Sequence, residues 1–277
     1  MDVFAAFIAP ALAGVFVGVM SGLLGVGGGT IMVPIFRLAF GMSPLASTAT
    51  SLFAIIPTSI SGVVAHARAK TCVPKLGLAL GVGGAVMSPM GVWLASVSPG
   101  WLVICVAAIV IGFSAFKMFK KAVKCAPTPR AGRAGGNVQA ASAKAVPDQP
   151  VLSRKQYLQG ACIGLIAGLA SGYVGVGGGF IMVPLMLAVL DIPMSLASGT
   201  SLIAIMILAI PGVIEQGLLG NIEYLAGIAI VVGSIPGALV GARLVRVVPE
   251  RQLRFIFGGF LLVAAVMLML NEFGILG

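Results

Sequence analysis

The sequence predicts an all-α integral membrane protein, a polytopic helical bundle of two inverted-topology repeats with about five segments each, some of them short or broken half-helices. Composition is the first ground. The chain is 59% hydrophobic and 9% charged, with a mean hydropathy of +1.14, whereas a soluble globule carries about 25% charged residues. Its apolar runs reach the roughly 20 residues that cross a hydrocarbon core, without the alternation of barrel strands. The second ground is a doubled motif, Ser-Gly-x-x-Gly-Val-Gly-Gly-Gly-x-Ile-Met-Val-Pro, at Ser21 to Pro34 and again at Ser171 to Pro184; two such copies mark an internal repeat. The third is the distribution of the seventeen Lys and Arg residues, all but Arg37 in three clusters.

Segment one spans about Val3 to Leu24 and stops where Gly25, Gly27, Gly28 and Gly29 crowd the chain. Glycine costs about 1 kcal/mol relative to alanine inside a helix, so this density marks a break or a very close approach. The N-terminus lacks the positive region of a signal peptide, and segment one is expected to stay in the mature chain. A short segment, about Ile31 to Phe40, follows and is closed by Gly41-Met42-Ser43-Pro44; it is too short to span alone and reads as half of a broken helix. The third segment, about Leu45 to Ala65, opens on a run of hydroxyls from Ser47 to Ser51 and ends at His66, Arg68 and Lys70. The fourth, about Leu76 to Val97, closes at Ser98-Pro99-Gly100, and the fifth, about Trp101 to Phe119, runs into Lys120-Lys121. Trp93 and Trp101 lie near segment ends, at the headgroup level that amphipathic rings prefer.

Residues 121–153 are rich in Ala, Pro, Gly, Lys and Arg, lack periodicity and hold few bulky apolar residues, so they read as a mobile linker. It divides the chain into a first membrane repeat at 1–120 and a second at 154–277. The second half repeats the first, with segments near Tyr157 to Val174, Ile181 to Leu190, Ser195 to Ile214, Ile222 to Leu244 and Leu253 to Leu270. Thr50-Ser51-Leu52 has its image in Thr200-Ser201-Leu202, Gly91 in Gly241 and Pro99 in Pro249.

Basic residues mark the cytoplasmic side of a membrane protein. Lys117 to Lys155 hold nine, Arg68 to Lys75 three and Arg243 to Arg254 four, while the turns at Ser96 to Gly100 and Glu215 to Glu223 hold none. Equivalent turns thus differ in charge between the halves, which predicts inverted repeats, a cytoplasmic linker and extracytoplasmic termini. The formal charge of +10 is accounted for by this topology signal, and nucleic acid is not an expected partner. Cys72, Cys105, Cys125 and Cys162 show no CxxC spacing and read as packing residues, with no metal site and no cofactor implied.

Inverted repeats with interrupted helices point to a secondary transporter whose site lies near the midplane. Non-helical backbone deep in a bilayer is tolerated only where it is packed in protein or lines a cavity. The breaks free amide N–H groups, and the helices restarting at Thr30 and Phe180 direct their positive ends toward them, so Gly25, Gly27, Gly28, Gly29 and Thr30, with Gly175, Gly177, Gly178, Gly179 and Phe180, are the candidate anion cradle. Close helix packing is the alternative reading, since Gly22-x-x-Gly25 is near small-xxx-small spacing. A P-loop is excluded by the missing Lys-[Ser/Thr]. Thr50, Ser51, Thr200 and Ser201 offer hydroxyls to a ligand or to helix capping. Arg37 either attracts an anion or snorkels to the surface, with snorkelling favoured. His66 and Glu215 are candidates for proton coupling, each with a solvated interfacial position as the favoured alternative. Clustered His or paired carboxylates are absent from the apolar segments, so no enzyme is expected.

The doubled Gly-Val-Gly-Gly-Gly-x-Ile-Met-Val-Pro motif, in two similar halves around a polar linker, resembles the sulfite exporter TauE/SafE family. The resemblance covers nearly all of the chain outside the linker and assigns Pro34 and Pro184, with the motif glycines, to the functional region. It implies permeation of sulfur-containing anions such as sulfite, sulfoacetate or other organosulfonates across a bacterial cytoplasmic membrane. A passive anion channel and proton-coupled uptake of an organic anion are the alternatives.

Overall fold

The computed structural model describes residues 3–124, 153–174 and 177–272. Ten helices make up these residues: α1 Val3–Leu24, α2 Gly29–Leu38, α3 Pro44–Arg68, α4 Pro74–Val97, α5 Gly100–Lys124, α6 Arg154–Val174, α7 Gly179–Leu185, α8 Met194–Leu218, α9 Tyr224–Leu244 and α10 Glu250–Glu272. A single π-helical turn, Met186–Leu190, continues α7. Six helices, α1, α3, α4, α6, α8 and α9, are long and apolar enough to cross a membrane. The fold is an all-α polytopic membrane bundle.

Element ends follow local chemistry. Ser43 caps α3, its Oγ accepting from the Ala46 amide, with Pro44 in the first turn, where its fixed φ and missing N–H suit a helix start. The ten residues of α2 reach about 15 Å, half of a hydrocarbon core. α5 runs four residues past Phe119-Lys120, to Lys124; Lys and Ala are good helix formers, and the charged end continues the helix where the sequence reading stops it. Residues 125–152 of the expected linker lie outside the described residues.

Two helix pairs form the scaffold. α1 packs along α9 and α4 along α6. A methyl on Gly14, Gly18 or Gly22 of α1 would fall on the carbonyl oxygens of Ile230, Ser234 or Ala238 of α9. Gly164, Gly168 and Gly172 of α6 meet the carbonyls of Leu80, Gly84 and Ser88 of α4 in the same way. The residue numbers rise together along both ladders, so each pair is parallel. Four-residue spacing puts these glycines on one face of each helix, which lets the backbones touch.

α3 and α8 lie between the pairs, packed on each other, with α9 against α3 and α4 against α8. Thr50, near the start of α3, accepts from the Glu223 amide at the end of the α8–α9 turn (3.0 Å), and Thr200, near the start of α8, accepts from the Val73 amide before α4 (3.0 Å). α3 and α8 are therefore antiparallel. Thr58 and Ser234 join their hydroxyls across α3 and α9, and the Ser61 hydroxyl donates to the Ile235 carbonyl at 2.8 Å. α5 and α10 pair at the periphery, where Phe119 meets Phe255. Of the cysteines, Cys72 is buried between α3 and α4 and burial pushes its thiol up, as befits a packing residue; Cys125 lies outside the described residues.

The ladders set a testable scale. Gly18→Leu or Gly168→Leu drives a side chain into a neighbouring backbone, and a loss of about 3 kcal/mol or more is expected in thermal unfolding in detergent. Gly259, in α10, has open space at the same position, so Gly259→Ala is expected to leave stability unchanged or raise it by up to about 1 kcal/mol.

Candidate functional site

The first glycine break lies between α1 and α2 and is buried without interruption from Ser21 to Val33. Gly25, Gly27 and Gly28 hold φ values of +71°, +78° and +84°, the left-handed region that costs other residues roughly 1–2 kcal/mol. These turns fold the chain back on itself. A methyl on Gly28 would lie 2.9 Å from Val17 Cγ1 and 3.7 Å from Ser21 Cβ, both one to three turns back in α1. The short helix thus doubles back beside α1, which is itself long and apolar enough to cross a membrane.

Two side chains from elsewhere secure the end of α1. The His66 ring donates from Nε2 to the Gly22 carbonyl at 2.9 Å, and its Nδ1 pairs with Thr71 Oγ1 at 2.8 Å. The Ser201 hydroxyl is shared between the carbonyls of Gly25 (2.6 Å) and Ser198 (2.8 Å). The Gly22 and Gly25 carbonyls sit at the C-terminal end of α1, where i+4 donors have run out. His66 is 0% exposed, which corrects the expectation of a solvated interfacial histidine: it is a buried cap, placed where α1, α3 and α8 converge. Gly199 makes room for it, since a methyl there would meet the imidazole ring.

The amides from Val26 to Thr30 donate to no carbonyl among the described residues, and the first turn of α2 closes only with the Ile31 and Met32 amides on the Gly28 carbonyl. Thr30 is buried, and neither its hydroxyl nor that of Ser21 has a partner. Pro34, half-buried, has no N–H to return to the Thr30 carbonyl. Between Ser21 and Phe36 there is no ionisable side chain.

The second break is its counterpart in position. Gly175 lies outside the described residues, as does Val176; Gly177 and Gly178 hold φ values of +85° and +72°. Gly179 opens α7, and Phe180 and Pro184 are buried. The two breaks touch: a methyl on Gly179 would lie 2.7 Å from Val26 Cα and 2.8 Å from the Gly25 carbonyl oxygen. Ile205 of α8 packs on both Gly27 and Gly179, and Ile55 of α3 packs on Gly177.

The structure brings the candidate glycines together and gives the hydroxyl runs another occupation. Thr50 and Thr200 accept from turn amides, and Ser51 donates to the Thr48 carbonyl at 2.8 Å. Arg37 is partly buried in the last turn of α2 and engaged there, and its counterpart Leu187 is buried. Glu215 is exposed near the end of α8. Ser21 and Ser59, buried hydroxyls without partners, went unnoticed in the sequence reading; Ser21 was visible as the first residue of the repeated motif, while Ser59 carries no local signal. Among the described residues no group of His, Cys, Asp or Glu is arranged to hold a metal ion.

The model of the sulfite exporter TauE/SafE family matches residues 10–268. The chain belongs to that family. It is a multi-pass membrane transporter and not an enzyme. Curated relatives agree at the level of class. This TauE/SafE member is 27% identical over 248 residues to "Probable membrane transporter protein YunE" of Bacillus subtilis, covering 87% of this chain and 89% of that protein. It is 28% identical over 238 residues to "Probable membrane transporter protein YdhB" of the same bacterium, covering 86% and 89%. It is 24% identical over 276 residues to "Probable membrane transporter protein MJ0441" of Methanocaldococcus jannaschii, covering 94% of each chain. No solved structure matches this family member.

The capping roles give a direct check. Removing either His66 or the Thr200 hydroxyl leaves a buried backbone group unpaired, and each of His66→Ala and Thr200→Val is expected to lower stability by about 1–3 kcal/mol in thermal unfolding. Glu215→Gln, at an exposed position, is expected to stay within about 0.5 kcal/mol.

Proposed function

We propose that this family member is a secondary transporter that exports small sulfur-containing anions, sulfite or an organosulfonate such as sulfoacetate, by alternating access, with the anion held at the glycine-rich breaks near the midplane. One observation carries the reading: the buried amides from Val26 to Thr30 have no acceptor among the described residues. Buried backbone donors almost always find a partner, and a glycine-rich turn at a helix N-terminus is where N–H groups converge on an anion. A cradle of amides without a fixed cation binds weakly enough to release its cargo.

Direction follows from charge. An inside-negative potential favours anion exit by roughly 2.3 kcal/mol per charge per 100 mV, so export proceeds without a coupling ion. The architecture we assign is two inverted repeats, 1–120 and 154–277, joined through 121–153 on the cytoplasmic side, with extracytoplasmic termini. The antiparallel course of α3 and α8 supports it, as does the exchange of partners that pairs α1 with α9 and α6 with α4. The family's description supports a sulfur oxyanion as cargo, and the relatives' names support transport.

Reconstituted protein is expected to show sulfite flux that saturates with concentration and supports counterflow of labelled substrate. A methyl on Gly28 meets Val17 and Met32 at a left-handed position, and Gly28→Ala is expected to lower that flux by about tenfold or more. Flux that never saturates, without counterflow, is the signature of a passive channel and would remove alternating access from the account.

A further inference from the structure

Three buried hydroxyls among the described residues have no hydrogen-bond partner: Ser21 Oγ, Thr30 Oγ1 and Ser59 Oγ. Two of them bracket the first glycine break. Ser21 is 1% exposed and Thr30 3%, so neither is satisfied by surface water. Native interiors hold few such groups, and each calls for an explanation. The two stand at one place. The Ser21 side chain faces Gly28, with its Cβ 3.7 Å from the position of a methyl there, and Thr30 follows Gly28 by two residues in the first turn of the ten-residue α2. The unengaged amides of Val26 to Thr30 lie between them.

The second break keeps one side chain and changes the other: Ser171 repeats Ser21, buried, with its Cβ 3.2 Å from the position of a methyl on Gly178. Phe180 occupies the position equivalent to Thr30, wholly buried and without a hydrogen-bond donor in its side chain. Around it Ile55 packs on Gly177 and Ile205 on Gly179. The backbones and the motif serine repeat, and the hydroxyl in the first turn of the short helix does not.

We propose that the binding site is one-sided: the hydroxyls of Ser21 and Thr30, with the amides of Val26 to Thr30, hold an oxyanion at the N-terminus of α2, and the second break, through Phe180, Ile55 and Ile205, is the apolar wall that closes against it. This rests on the transporter reading and names the residues that select its substrate. Donors on two side chains and a run of backbone engage an anion with two or more acceptor oxygens at once. A spherical halide offers them no such geometry. The apolar wall excludes water from the bound anion's other face, where each donor then counts for more.

The test uses the full chain in proteoliposomes, with initial rates of sulfite counterflow measured across sulfite concentrations and with methanesulfonate or chloride as competitor. Ser21→Ala and Thr30→Val are each expected to raise the half-saturating sulfite concentration about tenfold or more. Thr30→Ser keeps the hydroxyl and is expected to restore it, and Ser59→Ala, which removes the third unpartnered hydroxyl, in α3 and outside the break, is expected to stay within about threefold. Methanesulfonate competes and chloride does not. A sulfite-induced rise in melting temperature of the detergent-solubilised protein reads binding without flux: present in the unmutated protein and Thr30→Ser, absent in Thr30→Val. Unchanged half-saturation in Ser21→Ala and Thr30→Val, effective competition by chloride, or an equal loss in Ser59→Ala overturns the one-sided site and leaves the transporter reading intact. Unmutated protein that neither moves nor binds sulfite or methanesulfonate overturns both.

Discussion

Backbone contact between α1 and α9, and between α4 and α6, is the constraint on which the rest of the structure depends. In lipid there is no hydrophobic drive to bring helices together, because the tails are as apolar as leucine. Association rests on dispersion, which falls steeply with distance. The ladders Gly14-Gly18-Gly22 and Gly164-Gly168-Gly172 bring whole backbones into that range, against the carbonyls of the partner helices. Once these pairs are drawn tight, α3 and α8 are confined between them, and the remaining chain has only the centre in which to turn.

That confinement explains why polar groups at the centre are mostly neutral and mostly directed at backbone. Glycine breaks leave carbonyls and amides without helical partners, and a low-dielectric interior makes each unpaired one expensive. His66 and Ser201 take the carbonyls of Gly22 and Gly25 at the end of α1, and Thr50 and Thr200 take the turn amides before α9 and α4. Among the described residues, the amides of Val26 to Thr30 at the start of α2 are left without a carbonyl partner. A polar centre without charge results, which suits a cargo that must leave as readily as it arrives.

Much of this was legible locally. Apolar run length and the glycine motif placed α1 to its last residue, and Pro44 marked the start of α3, because helix span and first-turn chemistry are properties of neighbouring residues. Roles set by distant partners were not. Thr200 meets Val73 across 127 positions and Thr50 meets Glu223 across 173, so a hydroxyl run looked equally suited to ligand or cap. His66, beside Arg68 at a segment end, carried the local signs of the interface, and only the fold of α1 over α3 reveals its burial. Ser21 was in plain view inside the motif, but that its hydroxyl lacks a partner is a fact of three-dimensional packing.

The exchange of partners between the ladders has a consequence for how the protein is made. α1 leaves the ribosome long before α9, yet the carbonyls that its glycines fit belong to α9, and Gly18 must wait for Ser234. α4 likewise waits for α6. Until then the glycine faces of both helices lie against lipid or the insertion machinery, so the first five helices alone cannot finish packing. The described helices are interlaced, and a moving unit that keeps these pairs intact is cut across the sequence, through pairs such as α1 with α9, and not between its two halves.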